Sequence, residues 1–81
     1  MRVTVRLFAS LREKAGQEIV YLDLPEGARV ADAWANLCLY EQELQACRDR
    51  VLIALNRRYV DADQVLSDGD ELALFPPVSG G

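Results

Sequence analysis

The chain contains no histidine and only two cysteines, Cys38 and Cys47, among its 81 residues. The commonest general base is therefore missing, and so is the ligand that would complete a zinc site or activate a thiol. The cysteines form no CxxC pair and lie in an otherwise helical region, so they read as small buried hydrophobes. No glycine-rich phosphate loop is present, and catalysis by the chain's own side chains is not expected. No apolar stretch approaches the ~20 residues of a membrane span. The amino terminus alternates Arg2, Val3, Thr4, Val5 and Arg6 where a signal peptide would carry an unbroken apolar run, so a cytoplasmic location without membrane partners is expected. Basic side chains are also few, nine against thirteen acidic, and the net charge of -4 disfavours the phosphate-dominated binding that nucleic acids require.

What is present is a composition of 51% hydrophobic and 27% charged residues, which is that of a folded soluble protein. A chain this short holds one modest core and buries only about 60–65% of its unfolded surface, so a deep internal active site has little room. The mild acidity favours encounter with a basic protein surface, although it also serves solubility alone. Asp68, Asp70 and Glu71 form the one dense acidic group. Their spacing around Gly69 lacks the ligand series of a calcium loop and fits turn chemistry, so no metal site is expected.

Hydrophobic periodicity organises the rest. Residues 2–8 alternate, with Val3, Val5 and Leu7 on one face and Thr4, Arg6 and Phe8 on the other, as in a half-buried strand. Ser10 and Glu13 have capping-box spacing, Leu11 and Ala15 fall four apart, and Gly16 is placed to stop a short helix. Residues 18–24 alternate again, and Pro25, Glu26 and Gly27 end that strand. Val30, Trp34, Leu37 and Cys38 make the stripe of the main helix, with Trp34 as a core anchor and Asp32 in the first turn. Arg29 stands where a Ser, Thr or Asp cap is usual. Residues 41–50 are consistent with a further turn or two of helix. The apolar run 51–55 predicts a central strand covered on both faces. Asn56, Arg57 and Arg58 make a turn before a brief strand at Tyr59 and Val60, and Glu71 to Phe75 form the last strand. The expected fold class is α+β, a roll with one main helix packed on one face of a mixed sheet.

The carboxyl end carries a different signal. Pro76 and Pro77 remove two backbone donors and fix where the sheet stops, and Gly80 and Gly81 can enter a narrow channel without side-chain clash. Four residues follow Pro77, enough at about 3.3–3.6 Å each to carry a carboxylate about 13 Å beyond the domain. An ordinary flexible end has the same composition. The expected organisation is a domain over 1–77 and a tail over 78–81.

Ser67-Asp68-Gly69-Asp70-Glu71 followed by Phe75-Pro76-Pro77-Val78-Ser79-Gly80-Gly81 resembles the carboxyl end of the small, sulfur-carrying subunits of molybdopterin synthase. The resemblance extends to Leu7-Phe8-Ala9, Leu11-Arg12-Glu13 and Ala54-Leu55-Asn56, in the same order over essentially the whole chain. It implies a ubiquitin-like β-grasp fold and a carrier role in molybdenum cofactor biosynthesis. An ATP-dependent activating enzyme would adenylate the Gly81 carboxylate, and a sulfur donor would displace AMP to leave a thiocarboxylate. The loaded tail would then enter the large catalytic subunit and donate sulfur to a cyclic pyranopterin phosphate. No tightly bound cofactor is implied, since ATP belongs to the activating enzyme. Gly81 would be the reacting residue, and Gly80 would give the tail access.

Phe8 and Phe75 fall opposite Leu7 and Leu74, where the main helix would not cover them. With Tyr59 they suggest a docking patch that Pro76, Pro77 and Val78 would continue toward the glycines, unless the aromatics form a second small core under a loop. Arg29 and the Arg57-Arg58 pair depart from the family pattern and bear on local structure or partner preference. Carriers for thiamin biosynthesis and transfer-RNA thiolation share the fold and the Gly-Gly end. A binding module acting only through its apolar patch is the alternative from another class.

Overall fold

The computed structural model describes residues 1–47 and 51–76. The chain runs through β1 (Arg2–Leu7), α1 (Ala9–Ala15), β2 (Ile19–Asp23), α2 (Val30–Tyr40), a 3-10 helix (Gln42–Cys47), β3 (Leu52–Leu55), β4 (Arg58–Tyr59) and β5 (Glu71–Phe75). The five strands form one mixed sheet in the order β2-β1-β5-β3-β4. β1 pairs with β2 antiparallel and with β5 parallel, while β3 pairs antiparallel with both β5 and β4. This is the α+β roll that the element pattern predicts, with α2 as the crossover between the β1–β2 hairpin and β3.

The alternation in β1 is what the sheet uses: Val3, Val5 and Leu7 are all at most 1% exposed, and Leu22 of β2 and Leu72 and Leu74 of β5 join them. Against this surface α2 lays Val30, Ala33, Trp34, Leu37 and Cys38, and α1 adds Leu11 and Ala15. Burial of each large aliphatic side chain contributes about 1.5–3 kcal/mol, so this one layer carries most of the drive to fold. Cys38 is buried as expected, whereas the expectation for the Cys47 side chain falls outside the described part of the structure. Residues 48–50 of the segment expected to be helical over 41–50 also lie outside it.

Two local expectations change, and a third, Arg29 at the start of α2, finds its physical reason. The Ser10–Glu13 capping box does not form, because Phe8 is still tied to the sheet through its N–H to the Leu74 carbonyl at 3.2 Å. The helix therefore starts at Ala9, Phe8 occupies the N-cap without a side-chain bond, and Ser10 is already inside the first turn. At α2 the missing cap at Arg29 is offset from the other side. The Asp32 carboxylate accepts the Arg29 N–H at 2.8 Å, and the Arg29 guanidinium donates to the Asp63 carbonyl at 2.7 Å.

The second change concerns β3. It is not the central strand, a place that β5 takes, and its outer neighbour is only the two-residue β4. Ile53 and Leu55 face the core, while Leu52 remains 45% exposed. The run 51–55 is apolar on both faces because the second face meets no helix and forms the floor of a groove.

Among the described residues no helix is long and apolar enough to cross a membrane.

Candidate functional site

The face of the sheet turned away from α2 is fixed by register. Arg6 lies opposite Ala73, Ala73 opposite Ala54, and Ala54 opposite Tyr59, so one row crosses four strands with two alanines at its middle. Small side chains there leave a depression between taller rows. On one side stand Phe8 and Phe75, whose rings stack with centroids 4.6 Å apart and planes 15° from parallel, with Leu52 paired to Phe75 beyond them. Such a pair contributes about 0.5–1.5 kcal/mol beyond its buried area, which holds both rings as a fixed wall. On the other side stand Glu71 and Arg57. The result is an open groove of about 460 Å³ lined by these residues, Arg6 and Tyr59.

Its charges are unevenly matched. The Nε of Arg6 lies 3.4 Å from the Glu71 carboxylate, and both side chains are about half exposed. An ion pair so placed contributes at most about 1 kcal/mol to stability, so its main effect is to hold both groups at the groove's edge. Arg57 makes no ion pair among the described residues.

The β3–β4 turn sets the position of Arg57. Asn56 and Arg57 have φ of 50° and 73°, the two positive values of a type I′ hairpin turn. Asn56 suits that region and is pinned further, donating from Nδ2 to the Asp70 carboxylate at 3.0 Å and accepting the Glu71 N–H at 3.0 Å. The acidic group at the turn before β5 is occupied in the same way. Asp68 accepts the Arg2 N–H at 2.7 Å, Asp70 accepts the Ser67 N–H at 2.7 Å, and Gly69, at φ 85°, donates to the Arg2 carbonyl at 2.8 Å. These carboxylates fasten the start of β5 to β1 and β3. Among the described residues no group of three or more His, Cys, Asp or Glu is gathered as a metal site.

Of the residues expected from sequence at a docking surface, the structure brings Phe8, Tyr59 and Phe75 around one groove, and Pro76 follows Phe75 directly at the end of β5. Tyr59 is 74% exposed, while Phe8 and Phe75 are half-buried by one another and by the sheet. Pro77, Val78, Gly80 and Gly81 lie outside the described residues. Sequence reasoning did not find Arg6, Ala54, Glu71 or Ala73 as groove residues, and treated Arg57 only as a departure. The alternation that paired Arg6 with Phe8 contained the signal for β1, and the same parity joins Glu71 and Ala73 to Phe75. Ala54 and Arg57 depend on which strands are neighbours, which periodicity does not reveal.

The model of the ThiS family matches residues 5–81. Over 83 aligned positions the chain is 36% identical to the molybdopterin synthase sulfur carrier subunit of Chlamydomonas reinhardtii, with 100% of both chains covered. The crystal structure of SAMP1 from Haloferax volcanii is similar with a TM-score of 0.90 at 34% identity, covering 100% of each chain. A structure of the protein–protein complex of subunits 1 and 2 of molybdopterin-converting factor from Helicobacter pylori 26695 matches with a TM-score of 0.70 at 27% identity, again over 100% of each chain. The shared fold is the ubiquitin-like β-grasp.

Proposed function

We propose, from the premise that the chain belongs to the ThiS family, that it is the sulfur carrier of a molybdopterin synthase, working through the carboxylate of Gly81. The observation that carries this reading is the place of β5. It is the central strand, its last residue Phe75 forms part of the groove wall, and Pro76 follows at once, so the chain leaves the sheet beside the groove with five residues still to come before its carboxylate. A partner seated on Phe8, Phe75 and Tyr59 would meet the tail without a separate recognition element. The Chlamydomonas relative of matching length is named for the same role, and the Helicobacter structure pairs a chain of this fold with a second subunit.

The chemistry requires two partners. A carboxylate is a poor electrophile because it is anionic and lacks a leaving group. An activating enzyme removes both obstacles when a Gly81 oxygen attacks the α-phosphorus of ATP, releasing pyrophosphate and leaving an acyl adenylate. Hydrosulfide supplied by a sulfur donor then attacks the carbonyl carbon, AMP departs with the C–O bond electrons, a proton is lost, and the terminus is a thiocarboxylate, ionised at neutral pH. In the large subunit this sulfur passes to a cyclic pyranopterin phosphate, and two loaded carriers supply one dithiolene. The carrier contributes position: Gly80 and Gly81 admit the tail to a narrow channel, and Phe8, Tyr59, Phe75, Pro76, Pro77 and Val78 hold the partner. ATP is a substrate of the activating enzyme, and the carrier itself needs no bound cofactor. The setting is the cytoplasm.

Removal of Gly80 and Gly81 tests the carrier reading against a binding module. The truncated chain is expected to retain docking to the large subunit in a pull-down while losing sulfur transfer entirely. Retained activity would show that the apolar patch alone is the functional element.

A further inference from the structure

Arg57 combines two features that the fold does not require. At φ 73° it occupies a conformation that costs an L-residue roughly 1–2 kcal/mol and that glycine adopts freely, so the turn would be better served by Asn-Gly. It lines the groove that the Phe8–Phe75 stack walls and, among the described residues, makes no ion pair, although the chain carries thirteen acidic side chains. The other groove arginine, Arg6, is already matched by Glu71. A strained backbone that presents an unmatched cation across a groove from an aromatic wall points to a role in recognition.

We propose that Arg57 selects the partner of the groove, a protein surface that lays an apolar side chain against the Phe8–Phe75 stack and a carboxylate against the Arg57 guanidinium. The inference rests on the carrier reading, under which that surface belongs to the large subunit. Charge complementarity fixes the chemistry of the occupant. Arg6 and Glu71 offset one another, so the groove presents one net positive charge on a chain whose total is -4. A basic segment would be repelled at Arg57, and a purely apolar one would leave the guanidinium without a partner as water is excluded. Arginine suits this position better than lysine because its planar fork can bind a carboxylate through two parallel hydrogen bonds.

The test is calorimetric titration of the full chain with the large subunit of molybdopterin synthase, at low and at physiological ionic strength. Arg57→Gln is expected to weaken binding about 5-fold at low salt and to flatten the salt dependence. Arg57→Glu is expected to weaken it by more than about 10-fold through like-charge repulsion. Arg57→Gly separates the two features: it relieves the turn, so the melting temperature should rise while affinity falls, a pairing of signs that a purely structural role would not give. If Phe75→Ala weakens binding but all three Arg57 variants match the unaltered chain, the selective role is overturned and the carrier reading stands. If the unaltered chain does not bind the large subunit, the carrier reading fails and the inference fails with it. Self-association of the chain alone that Arg57→Glu abolishes would assign the groove to a second copy and overturn the proposal.

Discussion

Phe75 and Leu37 show how differently two large apolar residues of the sheet and helix are used. Leu37 is 1% exposed in the layer between α2 and the sheet, and its replacement by alanine should cost about 2–5 kcal/mol, a large part of the stability of so small a domain. Phe75 is half-buried, stacked on Phe8 and paired with Leu52 on the open face of the sheet. Phe75→Ala should cost only about 1–2 kcal/mol, with the circular dichroism spectrum of the folded chain retained. Its larger effect should appear in the dissociation constant for the large subunit. An unchanged constant would remove Phe75 from the docking surface. At this scale the sequence was informative wherever a residue's role followed from parity along its own strand, as for Phe8 and Phe75. It was silent on Ala54 and Ala73, because a small residue shapes a groove only through the taller neighbours that the sheet sets beside it.

The turns at either end of the β3–β5 region act as fasteners between elements. Asn56 links the β3–β4 turn to the start of β5, its Oδ1 accepting the Glu71 N–H and its Nδ2 donating to the Asp70 carboxylate, and Asp68 accepts the first N–H of β1. Asn56→Ala removes both bonds and places a β-carbon residue with poor tolerance at φ 50°, so a loss of about 1–2 kcal/mol is expected in denaturant unfolding. Asn56→Asp keeps the acceptor for the Glu71 N–H but sets a second carboxylate against Asp70, and should fall below the unaltered chain for that reason. A stability equal to the unaltered chain in both variants would contradict this account of the turn. Elements were legible where period and punctuation agreed, as in β1, β2 and α2. They were misjudged where a tertiary bond moved a boundary, as Phe8 did for α1, or where an apolar run met the groove, as in β3.

For the molecule as a whole, the sheet order matters more than any single contact. Placing β5 between β1 and β3 makes the strand that leads to the carboxyl-terminal residues the one held by neighbours on both sides at the centre of the sheet. The element pattern predicted a mixed sheet with one covering helix, but the order of its strands is a matter of long-range pairing that no local pattern encodes. Removal of Gly80 and Gly81 should therefore leave the melting temperature within about 1 °C of the full chain, since surface changes away from the core are usually worth less than ~0.5 kcal/mol. A substantial fall would mean that the tail helps to hold the fold together.

The central claim is that Gly81 receives sulfur, and intact-protein mass spectrometry after incubation with ATP, the activating enzyme and a sulfur donor tests it most directly. The account predicts a mass gain equal to the replacement of one oxygen by sulfur, confined to the carboxyl-terminal peptide and dependent on ATP. No gain, with a second carrier loaded in parallel, would contradict the carrier role and leave the groove as the working part of the protein.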